Sequence, residues 1–221
     1  MEALERWIDK DNNIVSPSKF IEIAEDTALI IPIDRIVMKK AITQFSLWKK
    51  EGLKIGKLAL NVSAKELKMD DFISVLNEVV KKNECLASDI EIEITESSII
   101  ENPEESIKKL EEIKSYGYKF SLDDFGTGYS SLTYLKKLPI DILKIDKSFV
   151  DGLPENEEDT AICKTIITLA KSLKLDIIAE GVENIEQKEF LSMNDCVCIQ
   201  GYFYAKPMKA DDIEKFLKNT K

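Results

Sequence analysis

The chain has 221 residues, 44% of them apolar and 33% charged, with a formal net charge of −10 and no histidine. These values describe an ordinary soluble globular chain, long enough for a core without staples. Its acidity argues against a nucleic-acid polymer as partner, and the missing histidine excludes Ser-His-Asp hydrolysis, His-ligated zinc and phosphohistidine transfer.

No apolar run approaches the length of a membrane span, and Met1 is followed by Glu2 and not by a signal peptide, so a cytoplasmic location without membrane contact is expected. Residues 3–7 read as a first strand. Ser16-Pro17 signals the start of a helix over 18–29, and Pro32 opens a second over 33–50 that Gly52 stops. A strand follows at 57–61. Phe72, Val75, Leu76, Val79 and Val80 then make one helical face. Further strands read at 90–95, 118–123, 142–146, 177–180 and 197–200. The charge run 155–159 after Pro154 reads as a solvated loop entering a helix whose face is Ile162, Ile166, Leu169, Ala170 and Leu173. Cys85, Cys163, Cys196 and Cys198 lack C-x-x-C spacing and read as buried, reduced thiols. Strands alternating with helices predict an α/β fold with a parallel sheet and outer helices, in a single domain over 1–221.

Strand parity adds the position of the chemistry. Leu58 and Leu60 share one face and Asn61 ends the other; the isoleucines of 90–94 oppose Glu93. Phe120 and Leu122 oppose Asp123, Leu143 and Ile145 oppose Lys144, and Ile177 and Ala179 oppose Glu180. Five strands thus carry a polar residue near the C-terminal end, on the face away from the helices, as a (β/α)₈ barrel active site requires. Glu91 falls on the same inward face and calls for a basic partner. Only seven strands are legible, so the TIM-like barrel is expected to lack its first strand, leaving two edges beside Glu2.

Asp123-Asp124-Phe125-Gly126-Thr127-Gly128 places two adjacent carboxylates at the end of an apolar run, where they repel unless a cation neutralises them. Glu2, Asn61, Glu93, Asp123, Asp124, Lys144 and Glu180 form an oxygen-rich set with one ammonium group. It suits Mg²⁺ or Mn²⁺, and two such ions are a standard arrangement for phosphoester hydrolysis.

The ordered motifs Glu2-Ala3-Leu4-Glu5-Arg6, Val15-Ser16-Pro17, Asn61-Val62-Ser63, Glu93-Ile94-Thr95-Glu96-Ser97, Asp123-Asp124-Phe125-Gly126-Thr127-Gly128-Tyr129-Ser130, Lys144-Ile145-Asp146, Glu180-Gly181-Val182-Glu183 and Gln200-Gly201-Tyr202 resemble those of the EAL domain, the bacterial cyclic di-GMP phosphodiesterase. The resemblance runs from Glu2 to about residue 207. It implies that Glu2, Asn61, Glu93 and Asp123 hold a first Mg²⁺ or Mn²⁺ ion. Asp123 and Asp124 hold a second, with Glu180 as ligand or general base. It implies Lys144 at the attacking water or phosphate, Arg6 and Gln200 on the substrate side, and Glu183 in support. Glu96 would hold the loop 125–131, which in the family links metal binding to a homodimer contact. Family members carry about thirty further residues upstream, with a helix and a strand, and an N-terminal sensory or GGDEF domain is expected outside this chain. The implied activity is hydrolysis of cyclic di-GMP to linear pGpG. The alternatives are a module that binds cyclic di-GMP without cutting it, and a dimerisation scaffold.

Overall fold

The computed structural model describes residues 1–96, 98, 103–126 and 132–219. They form two compact units, one of residues 1–94, 111–119 and 209–219, the other of residues 95–96, 98, 103–110, 120–126 and 132–208. Seven strands of the α/β fold run parallel, three in the first unit and four in the second.

In the first unit β1 (Glu2–Ala3) and β5 (Ile90–Thr95) flank β4 (Leu58–Asn61), with Glu2 opposite Ala59 and Asn61 opposite Glu93. The expected strand over 3–7 is shorter. Trp7 and Ile8 leave it to form β2 (Trp7–Ile8), which pairs antiparallel with β3 (Ile14–Val15) in a separate hairpin. In β5 the isoleucines and both glutamates are buried, as in a parallel strand covered on each face. Helix α1 (Pro17–Asp26) starts on Pro17 and buries Phe20 and Ala24, one turn apart. Helix α2 (Ile30–Lys50) begins two residues before Pro32, which sits in the first turn, where its missing N–H costs nothing. Met38, Ile42 and Phe45 form its buried stripe, and Gly52 ends it at φ +77°. The short α3 (Ala64–Leu67) is capped by Ser63, whose Oγ accepts the Glu66 N–H at 3.1 Å. Helix α4 (Phe72–Lys82) buries Phe72, Ile73, Leu76, Val79 and Val80; Val75 lies at the margin.

In the second unit β6 (Lys119–Phe125), β7 (Ile142–Ile145), β8 (Asp176–Ala179) and β9 (Cys198–Ile199) pair in chain order. Helix α5 (Pro103–Ser115) precedes β6, with residues 103–110 in the second unit and 111–115 in the first, and short helices α6 (Leu132–Leu135) and α7 (Lys147–Val150) follow β6 and β7. Helix α8 (Glu157–Leu173) begins inside the charge run 155–159 expected as a loop and takes Glu157, Glu158 and Asp159 into its first turn. Asn156 caps it, accepting the Glu158 and Asp159 N–H groups, and three acidic residues suit the positive helix start. Its buried face centres on Cys163, Ile166, Ile167 and Ala170. Helix α9 (Ile185–Met193) follows β8, and α10 (Ala210–Asn219) belongs to the first unit. All four cysteines are free thiols. Cys163 and Cys196 are buried, and burial pushes the Cys196 thiol up to about 12, whereas Cys198 is exposed. Among the described residues no helix is long and apolar enough to cross a membrane.

Candidate active site

In the first unit the three expected ligands stand on neighbouring strands. Asn61 Nδ2 donates to Glu2 Oε1 at 2.7 Å, which turns the amide oxygen Oδ1 away from that carboxylate. Glu2 is held from the first residue on, because Ala59 N–H donates to the Met1 carbonyl at 2.8 Å. Glu93, only 3% exposed, lies in register with Asn61, and its own carbonyl accepts the Val62 N–H at 3.0 Å. Glu91 is buried on the same face of β5. Arg6 is exposed and its Nη1 donates to the Glu5 carbonyl at 2.8 Å.

A second polar network in this unit lies beyond the reach of the strand-parity reading. Asp34 on α2 accepts the Ser63 N–H at 3.0 Å, two residues after Asn61. Its neighbour Arg35 grips Glu66 through Nε at 2.9 and 3.2 Å and Asp71 through both Nη atoms. Burial raises the Asp34 carboxyl to about 6 against the pull of its Ser63 hydrogen bonds, with Glu66 and Glu5 adding to the rise. Burial raises Glu66 as well, opposed by Arg35. The Ser63-x-x-Glu66 spacing was the available signal; it marks a helix start, but the glutamate turns to Arg35.

In the second unit Lys144, 1% exposed, is the centre. Its Nζ stands 2.6 Å from Glu180 Oε1 and 3.3 Å from Asp123 Oδ2, carboxylates whose side chains are 17% and 14% exposed. The three residues come from the ends of β7, β8 and β6, as their parity predicts. The cluster is a buried ammonium between two anions, an arrangement whose partners cannot be removed singly without stranding a charge. Glu180 is set by its backbone, since its N–H donates to the Ile145 carbonyl at 3.0 Å.

Asp124 departs from regular pleating. The β6–β7 register shifts between Leu122 and Phe125, and Asp124 adopts φ +55°, with its N–H on Asp123 Oδ1 at 2.9 Å. A regular strand would send these two side chains to opposite faces; the register shift and the left-handed Asp124 backbone break that alternation. The Asp124 carboxyl is raised from its ordinary value by local desolvation, then by Asp123 and Asp146, against Lys144. Glu96 is buried and its Oε2 accepts the Gly126 N–H at 3.3 Å. Gly126 sits at φ +97°, where a Cβ would stand 3.1 Å from the Phe149 ring. Ser97 and residues 127–131, including Thr127, Gly128, Tyr129 and Ser130, lie outside the described residues. Glu183 pairs with Lys147 at 2.9 Å, and Gln200, exposed, ties its backbone to Ala179 and Val182.

The family model described as EAL domain matches residues 1–207. The chain belongs to the EAL domain family. This EAL domain is 38% identical over 216 residues to signaling protein YkoW of Bacillus subtilis (strain 168), covering 98% of the chain and 27% of that protein. It is 35% identical over 218 residues to the cyclic di-GMP phosphodiesterase PdeR of Escherichia coli (strain K12), covering 99% of the chain and 33% of that protein. The EAL domain therefore spans about a third or less of the length of these curated relatives. Among solved structures it is similar to the PaMucR phosphodiesterase in complex with c-di-GMP, with a TM-score of 0.91 and 36% identity over 96% of this chain and 86% of that one. The expected fold class is the one adopted: α/β and TIM-like, with seven parallel strands in the described residues.

The residues expected as ligands offer carboxylate and amide oxygen, donors that fit a hard divalent cation and not zinc or copper. Among the described residues no group of three acidic or thiol side chains converges as a ready-made metal cage. In the second unit the Lys144 ammonium supplies the positive charge between Asp123 and Glu180.

Proposed function

We propose that this EAL domain is a metal-dependent phosphodiesterase that opens one phosphodiester bond of cyclic di-GMP to give linear pGpG. The observation that carries the reading is the buried Lys144 ammonium held between the partly exposed Asp123 and Glu180 carboxylates at three adjacent strand ends. Buried, opposed charges at the C-terminal ends of barrel-type strands are expensive for stability and characteristic of chemistry. Membership of the family and the names of relatives such as PdeR support the substrate.

Glu2, Asn61, Glu93 and Asp123 are the residues that would hold one Mg²⁺ or Mn²⁺ ion, and Asp123 with Asp124 a second. The chemistry such ions supply when bound is charge neutralisation at phosphoryl oxygens and acidification of water. Lys144 pairs with Asp123 and Glu180 and places one positive charge where phosphoryl charge accumulates. Glu180, fixed through its N–H to β7, accepts a proton from the attacking water. Arg6 and Gln200, both exposed, are the substrate-side residues, and Glu183 supports the loop after β8. Glu96 holds Gly126 at the entry to the segment that the same reading assigns to a homodimer contact.

The experiment is direct. The chain is incubated with cyclic di-GMP and Mn²⁺, and nucleotides are separated by chromatography. Accumulation of pGpG, abolished by excess chelator, is the expected result; intact cyclic di-GMP under these conditions, or full turnover in chelator, would refute the proposal.

A further inference from the structure

We infer that Gln187 is a positioning residue for Glu180 and Lys144, an inference that rests on the phosphodiesterase reading of their cluster. Gln187 lies in the first turn of α9 and is 3% exposed. A buried primary amide is costly unless its polar atoms are used, and here they are. Oε1 accepts the Glu183 N–H at 2.7 Å and the Asn184 N–H at 3.3 Å. Nε2 donates to the Val150 carbonyl at 3.1 Å, at the end of α7.

The two ends of this clamp are the segments that follow the catalytic pair. Lys144 leads through Ile145 and Asp146 into α7, and Glu180 leads through Gly181 and Val182 to Glu183. The side chain therefore ties the segment after β7 to the segment after β8. Two further contacts act in the same place. Lys147 bridges to Glu183 at 2.9 Å, and its aliphatic stem covers Gly181 so closely that an added Cβ would stand 2.3 Å from its Cγ. Those contacts are half-exposed and flexible. The Gln187 clamp is buried and neutral, so neither salt nor pH weakens it. A shift of a few tenths of an ångström between the two segments would alter the 2.6 Å approach of Lys144 Nζ to Glu180 Oε1.

The test compares the full chain with Gln187→Met, Gln187→Glu and Asn184→Ala, reading amide hydrogen exchange at Glu183 and Asn184 and the steady-state hydrolysis of cyclic di-GMP with Mn²⁺. Gln187→Met conserves volume and removes both polar atoms. It should speed exchange at both amides about tenfold or more and lower kcat about tenfold, with KM within about twofold. Gln187→Glu keeps the acceptor and loses the bond to Val150. It should retain amide protection and recover most of kcat, remaining about threefold below the full chain. Asn184→Ala removes the α9 cap, whose Oδ1 accepts the Gln187 N–H at 2.9 Å, and leaves the backbone donors of Glu183 and Asn184 and the Val150 carbonyl available to the Gln187 side chain. It should lower the melting temperature and leave kcat unchanged. Wild-type kcat in Gln187→Met, unchanged exchange at both amides, or an equal kcat loss in Asn184→Ala would overturn the inference. Should Gln187→Met not fold, wild-type kcat in Gln187→Glu overturns it. If the unaltered chain yields no pGpG, the phosphodiesterase reading fails, and the exchange data still decide whether the clamp exists.

Discussion

Asp34 shares a cavity of about 10 Å³ with Asn61, Val62 and Glu66, room for no more than one water molecule. Its carboxyl, raised by burial to about 6, binds a proton more tightly in the folded chain than in the unfolded one. Stability contributed by that proton is fully present below the unfolded pKa near 3.8 and lost as pH rises through about 6. Asp34→Asn keeps an acceptor for the Ser63 N–H and removes the titration. The variant should match the parent near pH 4 and gain up to about 3 kcal/mol by pH 7, from the shift of about two units. Urea unfolding at the two pH values measures this, and a constant difference would contradict it. Residue placement was legible where it follows strand parity: Asn61, Glu93, Asp123, Lys144 and Glu180 each stand near the strand end that alternation assigns. Asp34 and Arg35 were not, because adjacent charges on a helix read as an ordinary solvated face, and only tertiary packing brings Ser63 and Glu66 to them.

At the scale of elements, alternation of strand and helix was readable because parallel strands are short apolar runs and helices keep a 3.6-residue stripe. Boundaries escaped where backbone geometry is irregular. The bulge at Asp123–Asp124 extends β6 past its expected end, and a regular period of two cannot announce it. The first strand was read too long because Trp7 and Ile8 are β-formers that pair elsewhere, with Ile14 and Val15. The connection after β8 is equally constrained: Gly181 has φ +70° under the Lys147 stem. Gly181→Ala should destabilise by about 1–3 kcal/mol through backbone strain and the displaced lysine. It should also cost turnover, because Glu180 is the preceding residue. Calorimetry together with cyclic di-GMP hydrolysis checks both, and an unchanged melting temperature would contradict the packing argument.

For the whole molecule, the proposed hydrolysis of an anionic cyclic dinucleotide by a chain of net charge −10 calls for positive charge at the reaction centre. Lys144 is one buried source; the proposed divalent cations would be another. Mg²⁺ and Mn²⁺ demand short, near-octahedral coordination, whereas Ca²⁺ takes longer bonds and more ligands. Turnover should therefore appear with Mg²⁺ or Mn²⁺ and fall by about a hundredfold or more with Ca²⁺, read by pGpG formation at saturating ion. Comparable rates with Ca²⁺ would sink this assignment. The most direct test of the central claim, that the Asp123–Lys144–Glu180 cluster performs the hydrolysis, is a single-turnover measurement on Glu180→Gln with cyclic di-GMP binding followed in parallel. The substitution preserves shape and removes the proton acceptor. The account predicts a rate lower by about a thousandfold or more while binding stays within about tenfold of the parent. A Glu180→Gln variant that converts cyclic di-GMP to pGpG at nearly the parent rate would contradict it.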